Sequence, residues 1–146
     1  MNIKFKMNKF TAFNLIFGIL SLIFGFCIYL LFRENTYIAK LVSNEMLFEE
    51  MKIKLSFLDT RFLKFYMVDY LWAFSFACFI NLIFGESRNS MFLRSAIVFL
   101  TGRVYEVLQF GNVIRGTGDI ADVGLYLLAV LTVWGINYLL TRRCRE

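Results

Sequence analysis

Four long apolar runs organise the chain. Phe10 to Phe32 contains no charge and spans 23 residues, against about 20 needed to cross the hydrocarbon layer of a bilayer. It follows Lys4, Lys6 and Lys9 and ends at Arg33-Glu34. A cleaved signal peptide has a shorter apolar core and a small-residue exit, so this run reads as a retained first helix. Tyr66 to Gly85 is the second run, with Asp69 as its one charge. Met91 to Phe110 is the third and is interrupted by Arg94, Arg103 and Glu106; Arg94, near its entry, can snorkel to the headgroups. Ile120 to Leu140 is the fourth, followed by Arg142, Arg143 and Arg145. The pattern predicts an all-α, polytopic membrane bundle of four transmembrane helices, at about 10–32, 66–85, 91–110 and 120–140, in a single domain.

Between the first two runs the periodicity changes. Tyr37, Leu41, Phe48, Met51, Leu55, Leu58 and Phe62 recur at steps of three, four or seven, with Lys40, Glu50, Lys54 and Arg61 elsewhere on the wheel. That spacing predicts an amphipathic helical segment at about 37–64, lying on the membrane or over the bundle. A loop with scattered apolar residues is the alternative. No Gly or Pro breaks the segment, which favours helix.

Composition narrows the function classes. Hydrophobic residues make up 59% of the chain and the mean hydropathy is +0.63, more than a small aqueous fold can hide. Histidine is absent, which removes the commonest metal ligand and the usual neutral-pH general base. The net charge of +5 does not indicate nucleic-acid binding, because the Lys and Arg flank apolar runs. Cys27 and Cys78 fall inside apolar runs and Cys144 in the basic tail. Neither a disulfide framework nor a zinc motif is indicated. Cys144 is readable as a membrane-proximal acylation site or, more simply, as a plain thiol.

Four crossings put both termini on one side. The lysines before residue 10, the turn with Arg88 and Arg94, and the Arg142–Arg145 tail then share a face, which the positive-inside bias makes cytoplasmic. The opposite face holds seven Lys and Arg, so the bias is small. The expected localisation is the cell membrane, multi-pass, with cytoplasmic termini.

This topology gathers the remaining polar residues at one level. Asp69 opens the second helix, Glu106 and Gln109 close the third, Arg115 lies in the following loop, and Asp119 and Asp122 open the fourth. Ionisable groups at membrane depth are costly and are usually turned inward and paired, so they mark a functional-site hypothesis. Arg103, Glu106 and Gln109 step by three and sweep one polar sector, and Arg103 can pair with Glu106. Asp119 is placed to cap the fourth helix and Asp122 to return the bond. Trp72, one turn after Asp69, is an interfacial residue beneath it. The candidate binding cluster is therefore Asp69, Trp72, Arg103, Glu106, Gln109, Arg115, Asp119 and Asp122. Glu106, Asp119 and Asp122 are the candidate ligands if a divalent cation such as Mg²⁺ binds. The bland readings are helix caps for Asp119 and Asp122, a packing pair for Arg103 and Glu106, and belt residues for Trp72, Trp134 and the tyrosines.

The same residues carry a family resemblance. Tyr105-Glu106-Val107-Leu108-Gln109, then Arg115-Gly116-Thr117-Gly118-Asp119-Ile120-Ala121-Asp122, resembles the signature of VanZ-like membrane proteins. Those proteins show Glu-x-x-Gln and then Gly-Thr-x-Asp-x-x-Asp opening the last helix. Asp69-Tyr70-Leu71-Trp72 is similar to their upstream Asp-x-x-Trp. The resemblance covers about residues 57–140. Val68 stands where many members have Pro, and Gly124 is nearer the start of the last helix than the usual glycine. The resemblance implies a bacterial envelope protein, with a link to teicoplanin-type glycopeptide resistance and no assigned reaction. Its implied partners are the bilayer and a cell-wall precursor, a lipid headgroup or a glycopeptide. Two other classes share the same residues. One is a Mg²⁺-dependent membrane enzyme acting on a lipid or phosphate substrate; the other is a structural membrane subunit.

Overall fold

The computed structural model describes residues 8–32, 66–87, 90–111, 113 and 120–143. The amphipathic segment expected at 37–64, together with Arg115 and Asp119, lies outside the described residues. Among the described residues there are four α-helices, α1 (Lys9–Phe32), α2 (Val68–Phe84), α3 (Met91–Phe110) and α4 (Ile120–Arg143). Among the described residues there is no strand. Each apolar run became one helix, with ends shifted by no more than three residues from the expected bounds. Tyr66 and Met67 add a wide helical turn before α2.

The helices run alternately up and down. Asn8 bonds Glu86, Asn14 bonds Asn137 and Tyr126 bonds Glu106, which fixes each neighbour as antiparallel. One end of the bundle carries Lys9, the α2–α3 turn and the close of α4; it is called the tail end below. The other carries Phe32, Val68, Phe110 and Ile120 and is called the acidic end.

α2 sits at the centre and packs against α1, α3 and α4, while α1 meets α4 only slightly. Small side chains allow the close approach. The core joins Ala73, Phe74, Ala77 and Cys78 of α2 to Val98 of α3 and to Ala129, Val130 and Val133 of α4. On α1 the buried positions are Phe10, Asn14, Gly18, Ser21, Gly25 and Leu31. Steps of three and four place Asn14 to Gly25 on one face, and that face is small or polar. Gly18 is needed there, since a Cβ at that position would meet Cys78 Cβ at 3.0 Å. The Ser75 hydroxyl donates to the Gly18 carbonyl at 2.9 Å across the same contact.

The outside of α1 is the reverse of a water-soluble helix. Ile23 and Phe24 are 52% and 61% exposed, while Asn14 is fully buried. Leu15, Ile16, Phe17, Ile19 and Leu20 are also exposed. Water penalises such an arrangement and a lipid phase does not. By length and composition α1 and α4 can each cross a membrane. α2 has 17 residues, or about 25 Å at the usual helical rise, and α3 carries three charges; neither meets the same standard. Four helices are therefore present, of which two are long and apolar enough to span.

Candidate functional site

The tail end is a set of closed polar arrangements. Asn14 and Asn137 exchange amide hydrogen bonds of 2.8 and 3.1 Å. The Asn14 amide also donates to the Phe10 carbonyl at 2.8 Å. Both side chains are fully buried, so the pair locks α1 to α4 with most of its donors and acceptors used. Arg94 is 2% exposed and does not reach outward to the headgroup level as its position near the start of α3 suggested. Its guanidinium donates to the carbonyls of Gly85, Ser87 (2.6 Å) and Ser90 (3.3 Å). Gly85 makes this possible. Its φ of 72° ends α2, and its N–H returns to the Asn81 carbonyl at 3.0 Å. Carbonyls at a helix C-terminus are orphaned and electronegative, and a buried guanidinium satisfies several at once.

The acidic end is organised around Tyr126 of α4. Its hydroxyl donates to Glu106 Oε1 at 3.1 Å, and Glu106 is 3% exposed. The carboxylates of Asp69, Glu106 and Asp122 all lie close enough to act electrostatically on that hydroxyl. Acidic side chains from three helices thus act on one hydroxyl at this end of the bundle. Asp122 and Tyr126 are four apart and share a face of α4, which is the sequence signal that could have marked Tyr126.

Next to this cluster is a cavity of about 420 Å³. It is lined by all four helices, with Tyr29 from α1, Asp69, Trp72 and Phe76 from α2, Tyr105 from α3 and Tyr126 from α4. Val68, Ala73, Val98, Thr101 and Gly102 complete the wall. That volume is in the range of small-molecule sites, and the mixture of an apolar wall with a few polar groups is typical of them. Two glycines seat two of the rings. A Cβ on Gly102 would lie 2.6 Å from Tyr126 Cδ2, and a Cβ on Gly25 would lie 3.1 Å from the Trp72 pyrrole edge. The rings therefore rest against bare backbone, which leaves the volume between them open.

Of the residues singled out from sequence, Asp69 and Trp72 line the cavity, while Glu106 and Asp122 belong to the cluster beside it. Gln109 is half-buried near the end of α3. Arg103 is the correction. It is exposed and forms no ion pair with Glu106, whose buried carboxylate takes the Tyr126 hydroxyl instead. A three-residue step is only nominally one face, and the packing of Gly102 against Tyr126 turns position 106 inward and leaves 103 outside. Trp72 is a cavity wall as well as a ring near the helix end. Trp134 is half-exposed and stacks on Tyr138 at 5.7 Å. Tyr29, Tyr105 and Tyr126 were read from the sequence as belt residues and Gly25 and Gly102 were not singled out, because an aromatic or glycine in an apolar run rarely shows what it faces.

Among the described residues no three Cys, Asp or Glu side chains are grouped to hold a metal ion. Asp119, one of three candidate metal ligands with Glu106 and Asp122, is outside those residues. Among the described residues no buried side-chain nitrogen or oxygen lacks a hydrogen-bond partner. Compared with protein-family models, with curated proteins and with solved structures, the chain has no match.

Proposed function

We propose that this is a multi-pass membrane protein of the VanZ-like kind, with all four helices in the bilayer. Its acidic end lies at the outer leaflet and binds an amphiphilic envelope molecule in the cavity walled by Trp72 and Tyr126. The inverted burial of α1 supports the membrane setting. For α2, the added turn at Tyr66–Met67 brings the helical stretch near the thickness of the hydrocarbon layer. For α3, Arg94 is sealed by carbonyls and Glu106 by Tyr126. Exposed Arg103 lies two turns from the helix end, within snorkelling reach of headgroups. Both termini are then cytoplasmic, consistent with the basic residues at the tail end.

One observation carries the binding reading. Asp69 lines a cavity whose wall is mainly aromatic and apolar, and Glu106 and Asp122 act on the Tyr126 hydroxyl in that wall. Among the described residues a polyphosphate would find no cation in the lining. An amphiphile finds apolar walls for its chain and carboxylates for its polar end. Such a molecule is a membrane lipid, a lipid-linked cell-wall precursor or a teicoplanin-type glycopeptide.

Asp69→Asn, Glu106→Gln and Asp122→Asn, made singly, test this. The expected result is normal membrane abundance with loss of the effect that the wild-type chain has on teicoplanin-type susceptibility. Normal susceptibility effects in all three would remove the site. Failure of all three to accumulate would make the acids a packing device. Orientation is tested separately with Val113→Cys and Ser87→Cys in a background lacking the native cysteines. A membrane-impermeant thiol reagent added to intact cells should label position 113 and not position 87.

A further inference from the structure

α2 is the central helix, packed by α1, α3 and α4, and yet two of its rings stand open. Trp72 is 47% and Phe76 39% exposed. Both line the cavity, together with Tyr29 of α1 and Thr101 and Tyr105 of α3. Among the described residues α1 packs on α2 and slightly on α4, while α3 packs on α2 and α4. α1 and α3 make no more than marginal contact, which leaves a gap between them over this side of α2.

The walls of that gap grade from polar to apolar along the helices. On α2 the lining runs from Asp69 at the acidic end to Phe76, a stretch of about 10 Å. On α3 it runs from Tyr105 back to Val98, again about 10 Å. Asp69 and Tyr105 stand toward the acidic end, and Ala73, Phe76 and Val98 lie farther in. Between these levels the Thr101 hydroxyl donates to the Ile97 carbonyl at 2.8 Å, so its hydrogen is already engaged. Apolar walls without neighbours lose their dispersion contacts, and at membrane depth the molecules at hand to restore them are hydrocarbon chains. From this we infer that the cavity is a side-opening slot, entered between α1 and α3, that holds one hydrocarbon chain of a lipid laid along α2. The segment in the slot runs from the level of Asp69 to Phe76 and Val98, and the attached polar group stays at the acidic end. The volume of about 420 Å³ leaves room for that segment. This deepens the amphiphile-binding reading, on which it rests, by assigning the chain its place and its route of entry.

Trp72 and Trp134 are the two tryptophans in the chain, so each can be kept alone. Full-length Trp134→Phe and Trp72→Phe proteins are reconstituted in phosphatidylcholine bilayers in which a growing fraction of the lipid carries dibrominated acyl chains. Bromine quenches tryptophan only at close range. A ring that faces a slot holding one chain at a time is quenched in proportion to the brominated fraction. A ring on an open helix face, touched by several chains, is quenched along a curve that rises early. The expected result is the proportional rise for Trp72 and the curved rise for Trp134. Thr101→Phe, added to the Trp134→Phe protein, puts a ring into the slot from an exposed position and should lower the quenching of Trp72 several-fold. Thr101→Val, nearly the size of threonine, should leave it unchanged. Full quenching of Trp72 in the Thr101→Phe protein overturns the chain slot, as does a Trp72 curve that matches that of Trp134. An equal loss with Thr101→Val traces the effect to the hydroxyl and overturns it likewise. If Thr101→Phe does not reconstitute, the comparison of the two rings decides alone. The amphiphile reading is decided separately by the amide variants of Asp69, Glu106 and Asp122. Their loss of effect on susceptibility, with Trp72 failing the quenching test, leaves that site standing and places the chain elsewhere.

Discussion

At the tail end, Asn14 and Asn137 exchange two hydrogen bonds and Arg94 is tied to three carbonyls. At the acidic end, Glu106 takes one hydroxyl from Tyr126 while the carboxylates of Asp69 and Asp122 stand nearby, beside a cavity of about 420 Å³. Both ends bury costly polar groups. The tail end pairs donors with acceptors, which fixes helix register. The acidic end instead places acidic side chains of three helices around one hydroxyl at the wall of a cavity. The difference teaches where to look for structure and where for function. Polar groups that answer one another across helices are fasteners; polar groups at the wall of a cavity are where a ligand is sought.

The comparison breaks most readily at Arg94. Arg94→Met strands the carbonyls of Gly85 and Ser87 and should lower stability by about 3 kcal/mol, since bonds to charged groups are among the stronger ones. Chemical or thermal unfolding of the purified protein in micelles measures it. A loss under about 1 kcal/mol would mean the carbonyls find water and the tail end is not closed.

Next in size is the amide pair. Asn14→Leu or Asn137→Leu alone should cost about 1–2 kcal/mol by leaving one buried amide unpaired. The double replacement should cost less than the sum of the two singles, because no orphan remains. Strict additivity in the double-mutant cycle would show that the two amides do not act on each other.

At the acidic end the expected stability effect is smaller and the functional effect larger. Tyr126→Phe removes one hydrogen bond, worth about 1 kcal/mol, yet it takes the hydroxyl away from Glu106 and should alter amphiphile binding at near-normal abundance. Gly102→Ala serves as the steric partner, because a Cβ there would crowd the Tyr126 ring at 2.6 Å and drive it toward the cavity. Normal binding by both variants would detach Tyr126 from the site.

The smallest effect belongs to the exposed apolar surface of α1. Phe24→Ala on α1, at a position 61% exposed, should change unfolding in micelles by less than about 0.5 kcal/mol. A larger loss would show that this face is covered by another protein surface.

The helices themselves were legible in the chain. Apolar runs of about twenty residues, each closed by charges or turn residues, set four helices and their order, because backbone groups outside water must bond within their own segment. The level of Asp69, Glu106 and Asp122 was legible too, since alternating direction puts those helix ends together. Asn14, Gly18, Ser21 and Gly25 also formed a readable stripe of small and polar residues. What they pack against was not readable, because α2 could have met either α1 face from the same one-dimensional pattern.

Only the tertiary structure decided which polar groups became partners. Arg103 and Glu106 are three apart and looked like a pair, but Gly102 admits the Tyr126 ring, and that contact turns Glu106 inward and leaves Arg103 outside. Arg94 looked like a headgroup anchor, but the positive-φ turn at Gly85 presents carbonyls to it from another helix end. The aromatic cavity likewise exists only once four helices each contribute a ring or a gap. Hydropathy along a chain states how much of a segment must leave water; the direction each side chain takes depends on neighbours that are distant in sequence, and packing alone sets them.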